Sequence, residues 1–407
     1  MYRYIALFGL IWPLLAAELP VGKPEQAGLS SERLKRLSAV MRGYIQRGEI
    51  AGTVTGIVRR GRLVHLEAQG LMDADAKTPM RTDAIFRLAS MTKPITSVAV
   101  MMLLEEGRFL LTDPVSKFIP EFKNPKVVVV NPPGAYRGGT RTVPAEREIT
   151  IHDLLTHTAG LASDTSVAVR PELQKFQTET PADETIAQYT KRLASLPLNF
   201  QPGTAWEYGP ATNVLGYLVE VVSGMPFDRF IEERLTRPLG MRDTFFYVPD
   251  DKLDRLATLC SPGPRNARPA REMRGSRVLF SGAGGLFSTA ADYLRFSQMM
   301  LNGGVLDGSR VLSRKSIELM TANHIGNLPI WPDLPGYRFG LGVRVMTDLG
   351  KSGRLDSIGS YGWSGAYGTW SWIDPKEEMA GVLMIQTTAY DNIRFDMQNL
   401  ALQAIID

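Results

Sequence analysis

The sequence predicts a mixed fold of helices and strands in which a helical domain is inserted into an α/β domain. Strand patterns occur near both ends of the 407-residue chain, whereas helical patterns dominate the middle. The length suggests two or three domains of ordinary size or one enlarged fold. We therefore expect residues 20–107 and 282–407 to form one discontinuous α/β domain, and residues 108–281 to form the helical domain.

The first α/β segment is expected to begin with an amphipathic helix over residues 30–45. Ser30 is a suitable N-cap, and apolar residues recur after it at helical spacing. Residues 53–58 and 63–68 follow as two runs with strand character, and Gly61 lies between them. They predict a β-hairpin.

A second helix is expected over residues 91–106, ended by Gly107. The next stretch, residues 123–148, has almost no sustained period and reads as a long surface loop, which is either solvent-exposed filler or a wall over the substrate pocket. Helical patterns then cover four segments, residues 151–155, 183–193, 211–222 and 227–235.

The second α/β segment starts with a glycine-rich turn at residues 282–289. This turn leads into a helix expected over residues 290–301. Residues 370–374 and 381–386 predict two strands, and residues 391–406 predict a closing amphipathic helix.

Composition excludes several functions. The 46 basic and 42 acidic residues leave a net charge of only +4, and the basic residues are scattered, so we expect no nucleic-acid partner. The single cysteine, Cys260, excludes an intramolecular disulfide and a cysteine-based zinc site. His152 and His157 would point about 140° apart around a helix, which makes them a poor metal pair. No metal or cofactor is expected.

The N-terminal residues 1–17 predict a signal peptide. Arg3 supplies a positive charge, an apolar stretch too short to span a bilayer follows, and Ala16 and Ala17 are small residues suited to cleavage. We expect an exported protein, periplasmic or secreted, without a membrane span. The alternative is a cytoplasmic protein whose first residues pack on the domain.

Ser90 and Lys93 form a Ser-x-x-Lys motif at a predicted strand-to-helix junction. Residues three apart share a helix face, so the Lys93 amine can approach the Ser90 hydroxyl and act as its base. Such a motif arises about once by chance in a chain of this length. Taken alone, Ser90 can equally be a helix cap and Lys93 a solvated charge.

Two later segments could contribute to the same chemistry. Tyr208 follows a Pro-Gly turn, and a tyrosine there can serve as acid or base or can pin the loop to the core. The glycine-rich residues 361–368 precede a predicted strand. They allow a ligand to approach the backbone closely, or they form a bulged strand end.

These segments, in this order, resemble the serine β-lactamase and penicillin-binding protein superfamily. The resemblance is greatest to the class C β-lactamase-related hydrolases and, within them, the family VIII carboxylesterases. It runs from about residue 20 to residue 400, and residues 85–93, 151–161, 202–204 and 283–289 also support it. It implies a β-lactamase-like α+β fold, an antiparallel sheet flanked by helices with an inserted, mostly helical domain.

The resemblance also implies roles for individual residues. Ser90 would be the acylated nucleophile, Lys93 its partner and Tyr208 the tyrosine of the second motif. The backbone N–H groups of Ser90 and Ala366 would form the oxyanion hole. The third motif, which binds the substrate, corresponds to Trp363, Ser364 and Gly365.

Two departures from the family pattern favour esters over lactams. The second motif normally ends in asparagine, but this chain has Pro210. The third motif normally opens with a lysine that helps to hold the substrate carboxylate, but this chain has Trp363. Losing both groups predicts a more apolar cleft and a carboxylesterase for uncharged short- to medium-chain esters.

Two other functions stay open. One is a β-lactamase or D-Ala-peptide hydrolase, which a strong rate on a β-lactam would favour. The other is a non-catalytic penicillin-recognising binding protein. The presence of Ser90, Lys93 and Tyr208 argues against the latter, since an inactive relative would be expected to lose at least one of them.

Overall fold

The computed structural model describes six parts of the chain. The predicted signal peptide, residues 1–17, lies outside the described residues, as does residue 391, at which the last helix was expected to begin. The described parts are residues 18–131, 139–163, 166, 169–260, 274–388 and 392–407.

The helices of the described residues include the eight expected from the sequence and three that were not expected, at residues 170–178, 314–320 and 349–352. Ser30 caps the first helix as expected, because its hydroxyl accepts a hydrogen bond from the Arg33 backbone N–H. The helices of the described residues are α1 Ser31–Gln46, α2 Thr92–Glu105, α3 Ile151–Thr156, α4 Arg170–Thr178, α5 Ile186–Leu193, α6 Ala211–Ser223, α7 Phe227–Ile231, α8 Ala290–Leu301, α9 Arg314–Met320, α10 Leu349–Ser352 and α11 Ile393–Leu402.

The strands include both pairs expected from the sequence and several short ones that were not expected. In the described residues they are β1 Gly52–Arg59, β2 Arg62–Asp73, β3 Thr78–Pro79, β4 Phe86–Arg87, β5 Lys126–Val130, β6 Thr140–Pro144, β7 Phe287–Ser288, β8 Val305–Leu306, β9 Ser309–Arg310, β10 Tyr337–Phe339, β11 Arg344–Met346, β12 Tyr361–Ser364, β13 Trp370–Asp374 and β14 Met379–Met384.

Strands from the two ends of the chain pair in one eight-stranded antiparallel sheet. Its order is β10-β11-β12-β13-β14-β1-β2-β3. The two ends join where β1 pairs with β14, with Val54 opposite Met384. The predicted fold class, an α+β fold with an antiparallel sheet flanked by helices, is therefore confirmed. The division into domains at residues 107 and 282 stays a prediction.

Helices cover both faces of the sheet. On one face α1 packs against α11, over a core that includes Trp370 and Trp372. On the other face α8 lies on β1 and β14, and α2 and α6 pack beyond it in the larger apolar core. α2 is buried along most of its length, and it begins beside the predicted nucleophile.

In the predicted loop 123–148, the described residues 123–131 and 139–148 contain two paired strands that were not expected. The β-branched run Val127–Val130 pairs with residues 140–143 as the β5–β6 hairpin, and the Val128 backbone N–H donates to the Leu198 carbonyl. Pairing with β6 stabilises the β5 strand. The apolar run of β5 does not by itself indicate which segment pairs with it. Among the described residues, none of the helices combines the length and the apolar character that a membrane span requires.

Candidate active site

Ser90 lies in a tight turn at the start of α2. The short strand β4 is followed by a 3₁₀ turn, Ala89–Met91, so α2 begins at Thr92. Ala89 has a φ of 45°, a left-handed conformation that costs a non-glycine residue about 1–2 kcal/mol. The surrounding core holds this turn and presents the Ser90 hydroxyl at the N-terminal end of the helix.

Lys93 is buried behind Ser90, with 3% of its surface exposed. Its Nζ atom donates to Ser90 Oγ over 3.2 Å and to the Ala283 carbonyl over 2.8 Å. It also lies 4.5 Å from the centre of the Tyr208 ring. Lys93 is therefore not a solvated charge, which the motif alone could not exclude. It links Ser90 to the glycine-rich turn at Ala283 and to Tyr208.

The glycine-rich turn holds Lys93 from the other side. Asn213, on α6, accepts hydrogen bonds from Ser281 Oγ at 2.8 Å and from the Ala283 backbone N–H at 3.0 Å. These bonds orient the Ala283 carbonyl toward Lys93. The spacing of Asn213 from Tyr208 and Ser90 does not indicate this contact, so Asn213 is not among the predicted site residues.

Tyr208 is held by aromatic side chains. The Trp363 indole Nε1 donates to the Tyr208 hydroxyl over 3.3 Å. The Tyr208 ring centre is 4.9 Å from that of Trp331 and 4.9 Å from that of His157. The loop is also fixed at Glu207, whose carboxylate accepts from the side chains of Ser163, Ser166 and Asn199.

His157 is a buried neutral base beside these groups. Burial and then the charge of Lys93 lower its pKa to about 3. Its backbone carbonyl accepts from the Glu207 N–H over 3.0 Å. His157, which its spacing from His152 made a poor metal ligand, instead packs its ring on that of Tyr208.

The turn between β12 and β13 brings the third segment to Ser90. A side chain at Gly365 would place its Cβ 2.3 Å from the Leu88 carbonyl oxygen and 2.1 Å from Thr369 Oγ1, so only glycine fits. The Thr369 hydroxyl donates to the same Leu88 carbonyl over 3.0 Å. The turn thus packs against Leu88, which lies two residues before Ser90 in the chain.

A cavity of about 370 Å³ opens onto Ser90. Its walls include an unexpected aromatic residue, Trp331, and two charged ones, Asp333 and Arg394, so the cleft is less apolar than predicted. A larger cavity of about 600 Å³ beside α7 contains none of the predicted site residues. The lining residues of the smaller cavity are Ser90, Tyr208, Trp331, Asp333, Trp363, Ser364, Gly365, Ala366 and Arg394.

Comparison with known proteins identifies the family. The model of the family described as Beta-lactamase matches residues 37–404. This chain belongs to the β-lactamase family. It is 38% identical to an uncharacterized protein of Mycobacterium tuberculosis, over 86% of this chain and 88% of that protein. It is 32% identical to Esterase EstB of Burkholderia gladioli, over 88% of this chain and 91% of the esterase.

A solved structure agrees with this assignment. EstCE1, described as a hydrolase with promiscuous acyltransferase activity, superimposes with a TM-score of 0.76 at 26% identity, over 92% of this chain and 99% of EstCE1. The resemblance stated from the sequence is therefore confirmed, and this β-lactamase-family chain is a serine hydrolase.

Proposed function

We propose that this hydrolase is a family VIII-type carboxylesterase that cleaves short- to medium-chain carboxylic esters through an acyl-enzyme on Ser90. The observation that carries the proposal is the 3.2 Å contact between Lys93 Nζ and Ser90 Oγ. It supports an activated serine, because a serine hydroxyl needs a base within hydrogen-bond reach. The esterases among the similar proteins support ester cleavage as the reaction.

In the proposed first step, Lys93 and Tyr208 act as a coupled pair and take the Ser90 proton while Oγ bonds to the ester carbonyl carbon. The carbonyl π electrons move onto oxygen, and the Ser90 and Ala366 N–H groups stabilise that oxyanion. The C–O bond to the alcohol then breaks, and the alcohol oxygen receives the proton from the pair. Water cleaves the acyl-enzyme in the same way and restores Ser90.

The cleft supports esters over β-lactams. Trp363, where β-lactamases carry a lysine, is 1% exposed, and its indole N–H is directed to Tyr208. Pro210 is the N-cap of α6 and has no amide to offer a lactam side chain. Esters do not need either group, and they are intrinsically easier to cleave than amides.

Hydrolysis of p-nitrophenyl butyrate and of nitrocefin by the mature protein, each beside Ser90→Ala, tests the proposal. We expect fast ester turnover that the variant loses, with slow or no nitrocefin turnover. The opposite preference would make the chain a β-lactamase. No turnover of either compound and no labelling of Ser90 by a phosphonate ester would indicate the non-catalytic binding protein.

Export of the protein from the cytoplasm is a second proposal, separate from ester hydrolysis. Removal of residues 1–17 at a signal-peptidase site would leave a mature chain that contains the whole region matched by the family model. N-terminal sequencing of the protein recovered from the periplasm or the medium tests it. An intact Met1 on a cytoplasmic protein would contradict it.

A further inference from the structure

Tyr208 lies in a loop that the hydrogen bonds of its neighbour, Glu207, attach to the rest of the chain. Within residues 205–209, the hydrogen bonds to other described residues are those of Glu207 and of the Tyr208 hydroxyl. The Tyr208 backbone forms no hydrogen bond with a described residue. The position of that backbone therefore depends on the residue before it.

The Glu207 carboxylate accepts hydrogen bonds from two other segments of the chain. The Ser163 and Ser166 hydroxyls donate to Oε1 over 2.6 Å and 2.5 Å. Asn199 Nδ2 donates to Oε2 over 2.6 Å. The two serines are 5% and 1% exposed, so water competes little for these bonds. Because both carboxylate oxygens are engaged, and hydrogen bonds to a carboxylate are strong, the side chain is fixed in its orientation.

The backbone of Glu207 is attached to the same region. Its N–H donates to the His157 carbonyl over 3.0 Å. Earlier in the loop, the Gly203 N–H donates to the Thr158 carbonyl over 2.8 Å. The loop that carries Tyr208 thus lies along the residues that follow α3, and the Glu207 side chain extends this attachment to within one residue of Tyr208.

The contacts of the Tyr208 side chain do not by themselves fix its hydroxyl. Its ring centre lies 4.9 Å from those of Trp331 and His157, within the range of about 4.5–7 Å over which aromatic rings attract one another. The hydrogen bond from Trp363 Nε1, at 3.3 Å, is longer than the usual distance of about 2.9–3.0 Å. Proton transfer needs groups within about 2.6–3.2 Å, so the loop must set the remaining position.

We propose that Glu207 is a positioning residue, which holds the Tyr208 hydroxyl within reach of Ser90 and Lys93 for proton transfer. Glu207 is not among the described residues that line the cavity at Ser90, so it acts through Tyr208. The inference rests on the proposed ester hydrolysis and adds to it a residue outside the three motifs.

Two substitutions of Glu207 test whether its hydrogen bonds are needed. Glu207→Met keeps the length of the side chain and removes both acceptors. It should lower kcat for p-nitrophenyl butyrate roughly 10- to 100-fold and change KM little, because a small displacement of a reacting group costs about that much. Glu207→Gln keeps an acceptor for the two serine hydroxyls, and its amide can donate to Asn199 once that amide turns over. This conservative variant should retain most of kcat.

A double-mutant cycle tests whether Glu207 acts through Tyr208. Tyr208→Phe should lower kcat, and adding Glu207→Met to it should lower kcat no further, because no hydroxyl remains to be positioned. Single-turnover release of p-nitrophenol, with enzyme in excess, measures rates that are too slow for steady-state kinetics. Losses that multiply in the double variant, or full kcat in Glu207→Met, would overturn the proposal.

The matched control is Glu220→Met. Glu220, on α6, is half-buried like Glu207, its carboxylate accepts from the Phe227 N–H over 2.9 Å, and it is not among the described residues that line the cavity. Glu220→Met and Glu207→Met should lower the melting temperature by similar amounts, and only Glu207→Met should lose kcat. Equal losses of kcat would assign the effect to destabilisation and overturn the proposal.

The same preparations are assayed beside Ser90→Ala. Turnover that depends on Ser90 and on Tyr208, but not on Glu207, contradicts only the role of Glu207. Turnover that survives in Ser90→Ala, or that Tyr208→Phe leaves unchanged, contradicts the proposed acyl transfer itself and with it the role of Glu207.

Discussion

The Trp363 indole nitrogen donates a hydrogen bond to the Tyr208 hydroxyl over 3.3 Å. The residue that replaces the family's lysine is thus tied to the tyrosine of the second motif. The Tyr208 ring centre in turn lies 4.5 Å from Lys93 Nζ. Because an N–H group aimed at this oxygen stabilises negative charge there, we expect Trp363 to assist the proposed proton transfer as well as to line the cleft.

Trp363→Phe should lower kcat for p-nitrophenyl butyrate by roughly 10- to 100-fold and change KM little. The ring remains, but the N–H donor to Tyr208 is lost, and a hydrogen bond to a charged oxygen contributes about 1.5–3 kcal/mol. Steady-state kinetics measure both parameters. A rise in KM at constant kcat would show that Trp363 only shapes the pocket.

The matched control is Trp372→Phe. Trp372 is equally buried in the same sheet, but its indole nitrogen has no hydrogen-bond partner among the described residues. We expect a similar change in melting temperature for both variants and a loss of kcat for Trp363→Phe alone. Equal losses of kcat would assign the effect to packing.

Gly365→Ala should reduce kcat/KM at least roughly 100-fold, because the added Cβ clashes with the Leu88 carbonyl and moves the turn away from Ser90. Ester hydrolysis by the purified variant measures this loss. Gly350→Ala is the control. Its Cβ would be 3.6 Å from Asp348 Oδ1, an ordinary contact, so activity should be unchanged. An active Gly365→Ala would contradict the docking of this turn.

Asn213→Ala should lower kcat by disturbing the turn that carries the Ala283 carbonyl. It leaves the Ala283 N–H without its acceptor, which should lower the free energy of unfolding by about 1–3 kcal/mol. Denaturant unfolding and ester kinetics measure the two effects. Asn327→Ala, at an exposed residue outside the lining of the cavity, should change neither. Full activity in Asn213→Ala would show that the turn holds Lys93 without it.

His157 should make the folded protein sensitive to acid. Its folded pKa, about 3, lies below the ordinary value of 6.5, so between these values the unfolded chain binds the extra proton. The contribution of neutral His157 to the free energy of unfolding is fully present above pH 6.5. It is lost as the pH drops toward 3, and about 2 kcal/mol is lost at pH 5.

Unfolding free energies of the unaltered protein and of His157→Asn, measured at pH 7.5 and pH 5, test this. The unaltered protein should lose about 2 kcal/mol more than the variant over this interval. Equal losses would mean that His157 is protonated in the folded state as readily as in the unfolded chain.

Local patterns predicted much of the fold. The cap at Ser30, the β1–β2 hairpin and the glycine-rich turn before α8 each have a signal within a few residues, and the structure contains all three. The strands β10 and β11 have only three residues each, which is too short for a readable period. Their pairing depends on neighbours in the sheet.

The candidate site, like the fold, could be predicted from the sequence only where the signal is local. Ser90 and Lys93 are three residues apart, so helical geometry alone brought them together. Asn213, Trp331 and Arg394 reach the cleft from distant parts of the chain, and nothing near them in sequence indicates that position. Such contacts are created by the tertiary fold and could not be read from spacing.

Covalent labelling by a p-nitrophenyl phosphonate ester, followed by peptide mass spectrometry, tests whether Ser90 is the nucleophile. We expect one phosphonyl group on the peptide containing Ser90, no label in Ser90→Ala and much slower labelling in Lys93→Met. Ser97→Ala, at a buried serine further along α2, should label as the unaltered protein does. Stoichiometric label on another residue, or full labelling of Ser90→Ala, would contradict this role of Ser90.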